Sequence, residues 1–298
     1  MATGQSKMIA NALQDLSVIG DYRALLGESP VWCFRSQSLI WVDILQRRLL
    51  RYWPQQGEKI EIHELPFLCS AALLTEEVEQ FLLVTAQGVM LYDYSQQSHR
   101  QLCPWPEDEQ TRPNEAAIAP DGSLWFSTMD VTARSAIGSW YRYEYGSVQP
   151  EKMLSDQHVP NTLAWLGSYV WFVDTFRHRF CRSAAHRIST QTLSEWPIED
   201  LLADGSALTL DGMLLNACWG SACLTAYRLG DAAPEWLATH PLPVTQPTSC
   251  AFGGPDLHDL YITSASDGLV MPSKTEGALL RYRTPYTGQQ AMLFNLKK

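Results

Sequence analysis

Ala119-Pro120-Asp121-Gly122-Ser123-Leu124-Trp125-Phe126-Ser127-Thr128-Met129 runs a tight turn straight into an apolar strand. Proline presets φ, glycine accepts positive φ, and the aromatic and β-branched residues that follow suit a pleated surface. The strand half of this stretch recurs along the chain. Six apolar segments end in a small or acidic residue: Leu39 to Asp43, Phe81 to Thr85, Leu124 to Thr128, Val170 to Asp174, Met213 to Ala217 and Leu260 to Ser264. Their last residues lie 42, 43, 46, 43 and 47 positions apart. A four-stranded propeller blade repeats at about 40–50 residues, which matches this period.

A second beat follows each segment at short distance. It comprises Leu49 to Trp53, Val89 to Tyr94, Ser139 to Tyr143, Arg179 to Arg182, Leu224 to Arg228 and Leu279 to Arg283, and these alternate as half-buried strands do. Six copies of one two-beat pattern predict an all-β, six-bladed β-propeller with four antiparallel strands per blade. A β-sandwich, the competing architecture, gives turn signals every ~8–12 residues without the longer period. Residues 1–15 are expected as an N-terminal extension and 16–298 as one propeller domain. Helical signals are few: Lys7 to Leu16 suits one short helix. Closing the ring needs a strand from the opposite terminus, and Leu16-Ser17-Val18-Ile19 is expected to complete the last blade beside Met292-Leu293-Phe294. The inner segments carry little charge, so few polar residues are expected to line the channel.

Composition narrows the function classes. The chain has 298 residues, 46% hydrophobic and 18% charged, enough for a sizeable core. Its net charge of -10 and lack of any Lys/Arg run argue against a nucleic-acid partner and suit cation binding. No stretch approaches ~18 uninterrupted apolar residues, so no membrane span is expected. Seven scattered cysteines with no C-x-x-C spacing, and no export signal at the start, read as reduced thiols in a cytoplasmic protein.

Loops that enter the innermost strands of a propeller gather at one end of its axis, where residues distant in sequence meet. Glu28 in Gly27-Glu28-Ser29-Pro30, Asn161 in Pro160-Asn161-Thr162 and Asp204 in Ala203-Asp204-Gly205 occupy equivalent places in their blades. Three oxygen donors from separate elements suit a divalent cation and leave positions open for water and substrate. Arg112-Pro113-Asn114-Glu115 packs three polar side chains around a stiff proline, as a loop at a cleft does. The histidines show no H-x-x-x-H spacing, and of the seven only His158, three residues before Asn161, is expected near the cleft. Ser29, Ser127 and Ser249 lack a nucleophile elbow. Trp219 is read either as a pocket wall or as a core residue.

At these positions the chain resembles the senescence marker protein/gluconolactonase/luciferin-regenerating enzyme family of six-bladed propellers. The matching pieces are Gly27 to Trp32, Arg112 to Glu115 with Ser127-Thr128-Met129, Pro160 to Trp165, Ala203 to Gly205 and Gln246 to Gly254. The resemblance implies one divalent ion (Ca²⁺, Zn²⁺, Mn²⁺, Mg²⁺ or Fe²⁺) held by Glu28, Asn161 and Asp204. It places substrate contacts on Arg112 and Asn114, with Glu115 beside them. The implied activity is hydrolysis of a sugar lactone, with Asp204 as the base for the attacking water. There are departures: Asn114-Glu115-Ala116 stands where Asn-Asp-Gly is usual, and Asn161-Thr162 stands where Asn-Gly is usual. An acidic residue found in some members falls near Thr132.

Three function classes follow. The first is a metal-dependent hydrolase opening an aldonolactone by attack of water. The second is an esterase or phosphotriesterase on the same propeller, and the third a non-catalytic calcium-binding regulatory protein. Oligomeric state is not legible in the sequence.

Overall fold

A computed structural model describes residues 13–57, 59–198 and 200–297. Strand β1 (Gln14–Ile19) precedes the first blade, β2 (Gly27–Cys33), β3 (Ser38–Asp43), β4 (Arg48–Tyr52) and β5 (Ile60–Glu64). The second blade is β6 (Cys69–Leu74), β7 (Gln80–Thr85), β8 (Gly88–Asp93) and β9 (Ser98–Pro104), and the third is β10 (Thr111–Ile118), β11 (Leu124–Asp130), β12 (Gly138–Tyr143) and β13 (Glu151–Gln157). The fourth is β14 (Pro160–Leu166), β15 (Tyr169–Asp174), β16 (Arg179–Ala184) and β17 (Ser194–Pro197). The fifth is β18 (Leu202–Leu208), β19 (Met213–Trp219), β20 (Cys223–Arg228) and β21 (Glu235–Pro241). Strands β22 (Pro247–Gly253), β23 (Asp259–Ser264) and β24 (Leu279–Arg283) begin the sixth, and β1 completes it in the order β1-β24-β23-β22. Every pairing within a blade is antiparallel, so the six four-stranded sheets expected from the period are present. Among the described residues the only helix is a 3₁₀ turn at Pro54–Gln56.

The six apolar segments are the second strand of each blade, not the innermost. Strands β3 and β11 are buried along their whole length, and β7, β15, β19 and β23 along all but one end residue. A strand covered on both faces reads as a continuous apolar run. The first strands contact one another around the ring and line the channel, so their pattern is interrupted by polar residues.

One hydrophobic cluster fills each interface between adjacent blades, six in all. Fully burying a Leu, Val or Phe side chain contributes about 1.5–3 kcal/mol, so these clusters dominate the stability of the ring. The interface between blades six and one includes Ile19 with Tyr261 and Trp32, so closure buries the N-terminal strand too.

Two local expectations are corrected. The part of the expected Lys7–Leu16 helix that is described is strand: β1 starts at Gln14, and residues 7–12 lie outside the described residues. Ring closure uses β1 as expected, but Ile19 pairs with Leu279 and Val18 with Leu280, not with Met292 to Phe294. The C-terminal tail instead crosses the far end of the channel. The Gln289 amide donates to the Leu208 carbonyl, Phe294 and Leu74 pair backbone to backbone, and the Asn295 amide donates to Gly122. Phe294 is fully buried and stacks on Tyr143, which gives the tail more apolar contact there than a solvated edge beside β1 would offer.

Candidate active site at the channel mouth

All six innermost strands carry a break in register near their first residues. The breaks fall between Glu28 and Val31, Cys69 and Ala71, Pro113 and Ala116, Asn161 and Ala164, Ala203 and Ser206, and Pro247 and Ser249. A β-bulge re-aims side chains, and here bulges put Glu28, Asn114, Glu115, Asn161 and Asp204 at or beside the distortion. Local sequence explains two of them. Ser29, before Pro30, and Thr162 adopt positive φ, 49° and 59°. At Gly205 a Cβ would lie 2.2 Å from Ser249 Oγ, so only glycine lets β18 approach β22 this closely.

The acidic ends of the second strands brace the loops that lead into this region. Asp43 accepts hydrogen bonds from the Leu25 and Leu26 amides at 2.9 and 3.2 Å. Asp174 does the same for the His158 and Val159 amides, at 2.9 and 3.2 Å. Glu28 and Asn161 therefore follow loops clamped by the blade that carries them.

A hydrogen-bonded chain joins three blades. Arg112 Nη1 donates to Asn114 Oδ1 at 3.1 Å, and Asn114 Nδ2 donates to Asn161 Oδ1 at 2.8 Å. Asn161 Nδ2 donates to Thr175 Oγ1 at 2.9 Å, and the Thr175 hydroxyl donates to the Ala203 carbonyl beside Asp204. The Asp204 carbonyl accepts from Thr162 Oγ1 at 2.7 Å and from Asn216 Nδ2 at 2.8 Å. Glu115 Oε2 accepts from the Thr162 amide and Oε1 from the Ala116 amide, both at 2.9 Å.

Charge is concentrated in this cleft. Burial, then the Glu115 charge, push the Glu28 carboxyl up to about 8 against the pull of Arg112. Burial, then Glu28 and Glu115, hold Asp204 well above the usual carboxylate range, and burial raises Glu115 to about 7. Arg112 is held below its ordinary value by burial although Glu28 and Asp204 both favour its charge. These influences link Glu28, Arg112 and Asp204 in one electrostatic unit, with the Glu115 charge acting on both carboxyls.

The donor set fits a hard divalent cation. The Glu28 carboxyl accepts one hydrogen bond, from its neighbour Ser29 at 3.0 Å, and the Gly205 amide donates to Asp204. Near them, the buried Asn216 Oδ1 has no hydrogen-bond donor among the described residues. A buried Asp204 and a half-buried Glu28 this sparsely compensated are what a cation relieves. Among the described residues no group of three or more His, Cys, Asp or Glu side chains converges for a metal, and the expected triad contains only two such residues.

The other expected residues fall as follows. Among the described residues Arg112 hydrogen-bonds to protein through Nη1, to Asn114 and the Pro113 carbonyl. Asn114 spends both side-chain ends on protein partners. Glu115 also borders a cavity of about 230 Å³ in the channel below, lined by Ser29, Ser206 and Ser249 and, on the far side, by the tail from Gln289 to Met292. His158 stands on the rim, its Nε2 3.1 Å from the Ala133 carbonyl and its ring edge-on to Phe176. Ser127 braces backbone, contacting the Glu115 amide and the Pro160 carbonyl. Thr132 is bound by Asp130, whose carboxyl is held down at about 2 chiefly by the backbone amide of Thr132. Trp219 is half-buried at the site end of β19. Sequence reasoning missed Thr175, Thr162 and Asn216 as supports. Asn216 had a readable signal, an amide inside the apolar run Met213 to Ala217.

Fold and site together define a six-bladed propeller with an acidic, carboxamide-lined cleft at one end of its axis. The SMP-30/Gluconolactonase/LRE-like region matches residues 26–266. The chain belongs to this family. It is 31% identical over 255 residues to the 6-deoxy-6-sulfogluconolactonase of Pseudomonas putida, covering 82% of this chain and 84% of that one. It is 26% identical to the regucalcin of Gallus gallus, over 85% of this chain and 88% of that one. Among solved structures it is similar to the calcium-binding protein regucalcin from Agrobacterium tumefaciens str. C58, with a TM-score of 0.85 and 26% identity over 93% and 96% of the two chains.

Proposed function

We propose that this protein hydrolyses a sugar lactone with one divalent ion held by Glu28, Asn161 and Asp204. The observation that carries the reading is the electrostatic unit itself, in which the Glu28 charge adds to burial in raising Asp204 and both carboxyls act on Arg112. The names of the relatives, a gluconolactonase type among them, support the same substrate class. When bound, the ion supplies Lewis acidity at the lactone carbonyl oxygen and favours ionised carboxylates beside it.

The residues of the chain do the rest. Arg112, anchored through Nη1, offers Nε and Nη2 to the ring oxygens or hydroxyls, and Asn114 fixes its orientation. Asp204 orients the attacking water and takes its proton as the oxygen adds to the carbonyl carbon. The ring C–O bond then breaks, and the departing oxygen takes that proton back from Asp204 and becomes a hydroxyl on the opened acid. Thr162 and Asn216 hold the Asp204 backbone still during this step. Seven unpaired cysteines fit a reducing cytoplasmic setting, and no helix of the described residues is long and apolar enough to cross a membrane.

A panel of aldonolactones and aryl phosphotriesters, followed with a pH indicator, tests the substrate class. Opening of the lactones is expected, and turnover of the phosphotriesters alone would overturn it. A second reading, cation binding without turnover, is favoured by the all-oxygen donor set and predicts binding with no lactone opened.

A further inference from the structure

The β19–β20 hairpin ends in a pair of thiols. Cys218 lies directly opposite Cys223 in register, both are buried, and neither is in a disulfide. The Cys218 sulfur lies 3.3 Å from Thr225 Oγ1. Opposed residues of antiparallel strands have Cα atoms about 4.5–5.5 Å apart, inside the span of about 4.4–6.8 Å that a disulfide bridges. The bond can therefore form without parting the strands.

The pair is chemically unequal. The neighbouring Cys218 thiol holds Cys223 below its ordinary value, whereas Cys223 and burial hold Cys218 above it. Cys223 also follows the exposed turn residues Gly220 and Ser221, the side from which a small oxidant arrives.

The position couples the thiols to the cleft. Cys218 is the register partner of Ala203, the residue before Asp204, and the Ala203 carbonyl accepts the Thr175 hydroxyl that binds Asn161. Asn216, two residues along the same face of β19, holds the Asp204 carbonyl.

We propose that Cys218 and Cys223 form an oxidation site, a dithiol that a peroxide closes to a cross-strand disulfide and that, through β19, lowers turnover at Asp204. The Cys223 thiolate attacks one peroxide oxygen, the O–O bond breaks, and Cys223 becomes a sulfenic acid while the other oxygen leaves as hydroxide. The Cys218 sulfur attacks the Cys223 sulfur, the S–O bond breaks and water leaves. The two thiols lose two electrons and two protons, and the peroxide is reduced to two waters. A thiol reductant reverses the bond by exchange.

The effect on turnover rests on the proposed lactonase reading, whereas the disulfide does not. The full chain is treated with hydrogen peroxide, its remaining thiols are alkylated with iodoacetamide, and peptide mass mapping is run beside the lactone assay. Expected are loss of two alkylatable thiols, a Cys218–Cys223 linked peptide and a several-fold fall in turnover, all reversed by dithiothreitol. Cys218→Ser and Cys223→Ser each abolish the link and the fall. Both thiols remaining alkylatable, or Cys223 oxidised further without a link, overturns the site. A linked protein with unchanged turnover overturns the coupling to Asp204. If the untreated protein opens no lactone, the functional reading fails, yet the linked peptide still decides the thiol pair.

Discussion

The Thr162 amide donates a 2.9 Å hydrogen bond to Glu115 Oε2, so two of the positions read as departures from the family's motifs are bonded to each other. Thr162 holds a φ of 59°, a costly conformation for a β-branched residue, and its hydroxyl reaches the Asp204 carbonyl at 2.7 Å. The Thr162 side chain thus offsets backbone strain with a buried bond. Thr162→Val keeps the strain and removes the donor, and is expected to destabilise by about 1–3 kcal/mol in chemical denaturation. Thr162→Gly removes both and is expected to lie between wild type and Thr162→Val. A Thr162→Val protein as stable as wild type contradicts this arrangement.

The raised carboxyls set the pH dependence of the chelated protein. Glu28 titrates at about 8 and Glu115 at about 7 in the fold, both from an ordinary value of 4.5. The unfolded chain releases these protons first as pH rises, so stability present below the ordinary value is lost progressively up to the folded values. Denaturation midpoints of chelated protein are expected to fall between about pH 5 and about pH 8, and Glu28→Gln is expected to flatten that decline. A divalent ion is expected to raise the midpoint more at the alkaline end, because it competes with protons for the same oxygens.

Arg112 tests the binding half of the mechanism. Arg112→Lys keeps the positive charge beside Glu28 and Asp204 but loses the planar fork, one end of which is spent on Asn114. Steady-state kinetics on the best lactone are expected to show KM raised about tenfold with kcat changed little. An equal loss in kcat with KM unchanged would move Arg112 into the chemical step.

The tail gives a prediction independent of chemistry. Phe294 is fully buried between blades two and three, stacked on Tyr143 and edge-on to Tyr145. Phe294→Ala is expected to cost about 3–5 kcal/mol, read as a lower denaturation midpoint.

The architecture was legible because the second strands are sandwiched between sheets, which forces an unbroken apolar run such as Val170 to Val173 in every blade. The same fact hid the innermost strands, whose channel-facing polar residues and bulges at Glu28, Asn161 and Asp204 break any simple alternation. Closure was half legible: Ile19 read correctly as a blade strand, but its partner Leu279 and the tail segment at Phe294 are both short apolar stretches, and only three-dimensional packing separates them. In the site, Glu28, Asn161 and Asp204 stood out through their turn-forming neighbours Pro30, Pro160 and Gly205. Thr175 and Thr162 did not, because a hydroxyl on a strand has many ordinary roles and its worth here lies in contacts across blades.

The central claim is that lactone opening requires a divalent ion held at Glu28, Asn161 and Asp204. The most direct measurement is proton release from an aldonolactone by wild type and Asp204→Ala, after chelation and after re-addition of single divalent ions. The account predicts that chelation abolishes hydrolysis in wild type, that at least one ion restores it, and that Asp204→Ala neither binds that ion nor opens the lactone. Undiminished hydrolysis by the chelated protein, or by Asp204→Ala, would contradict it.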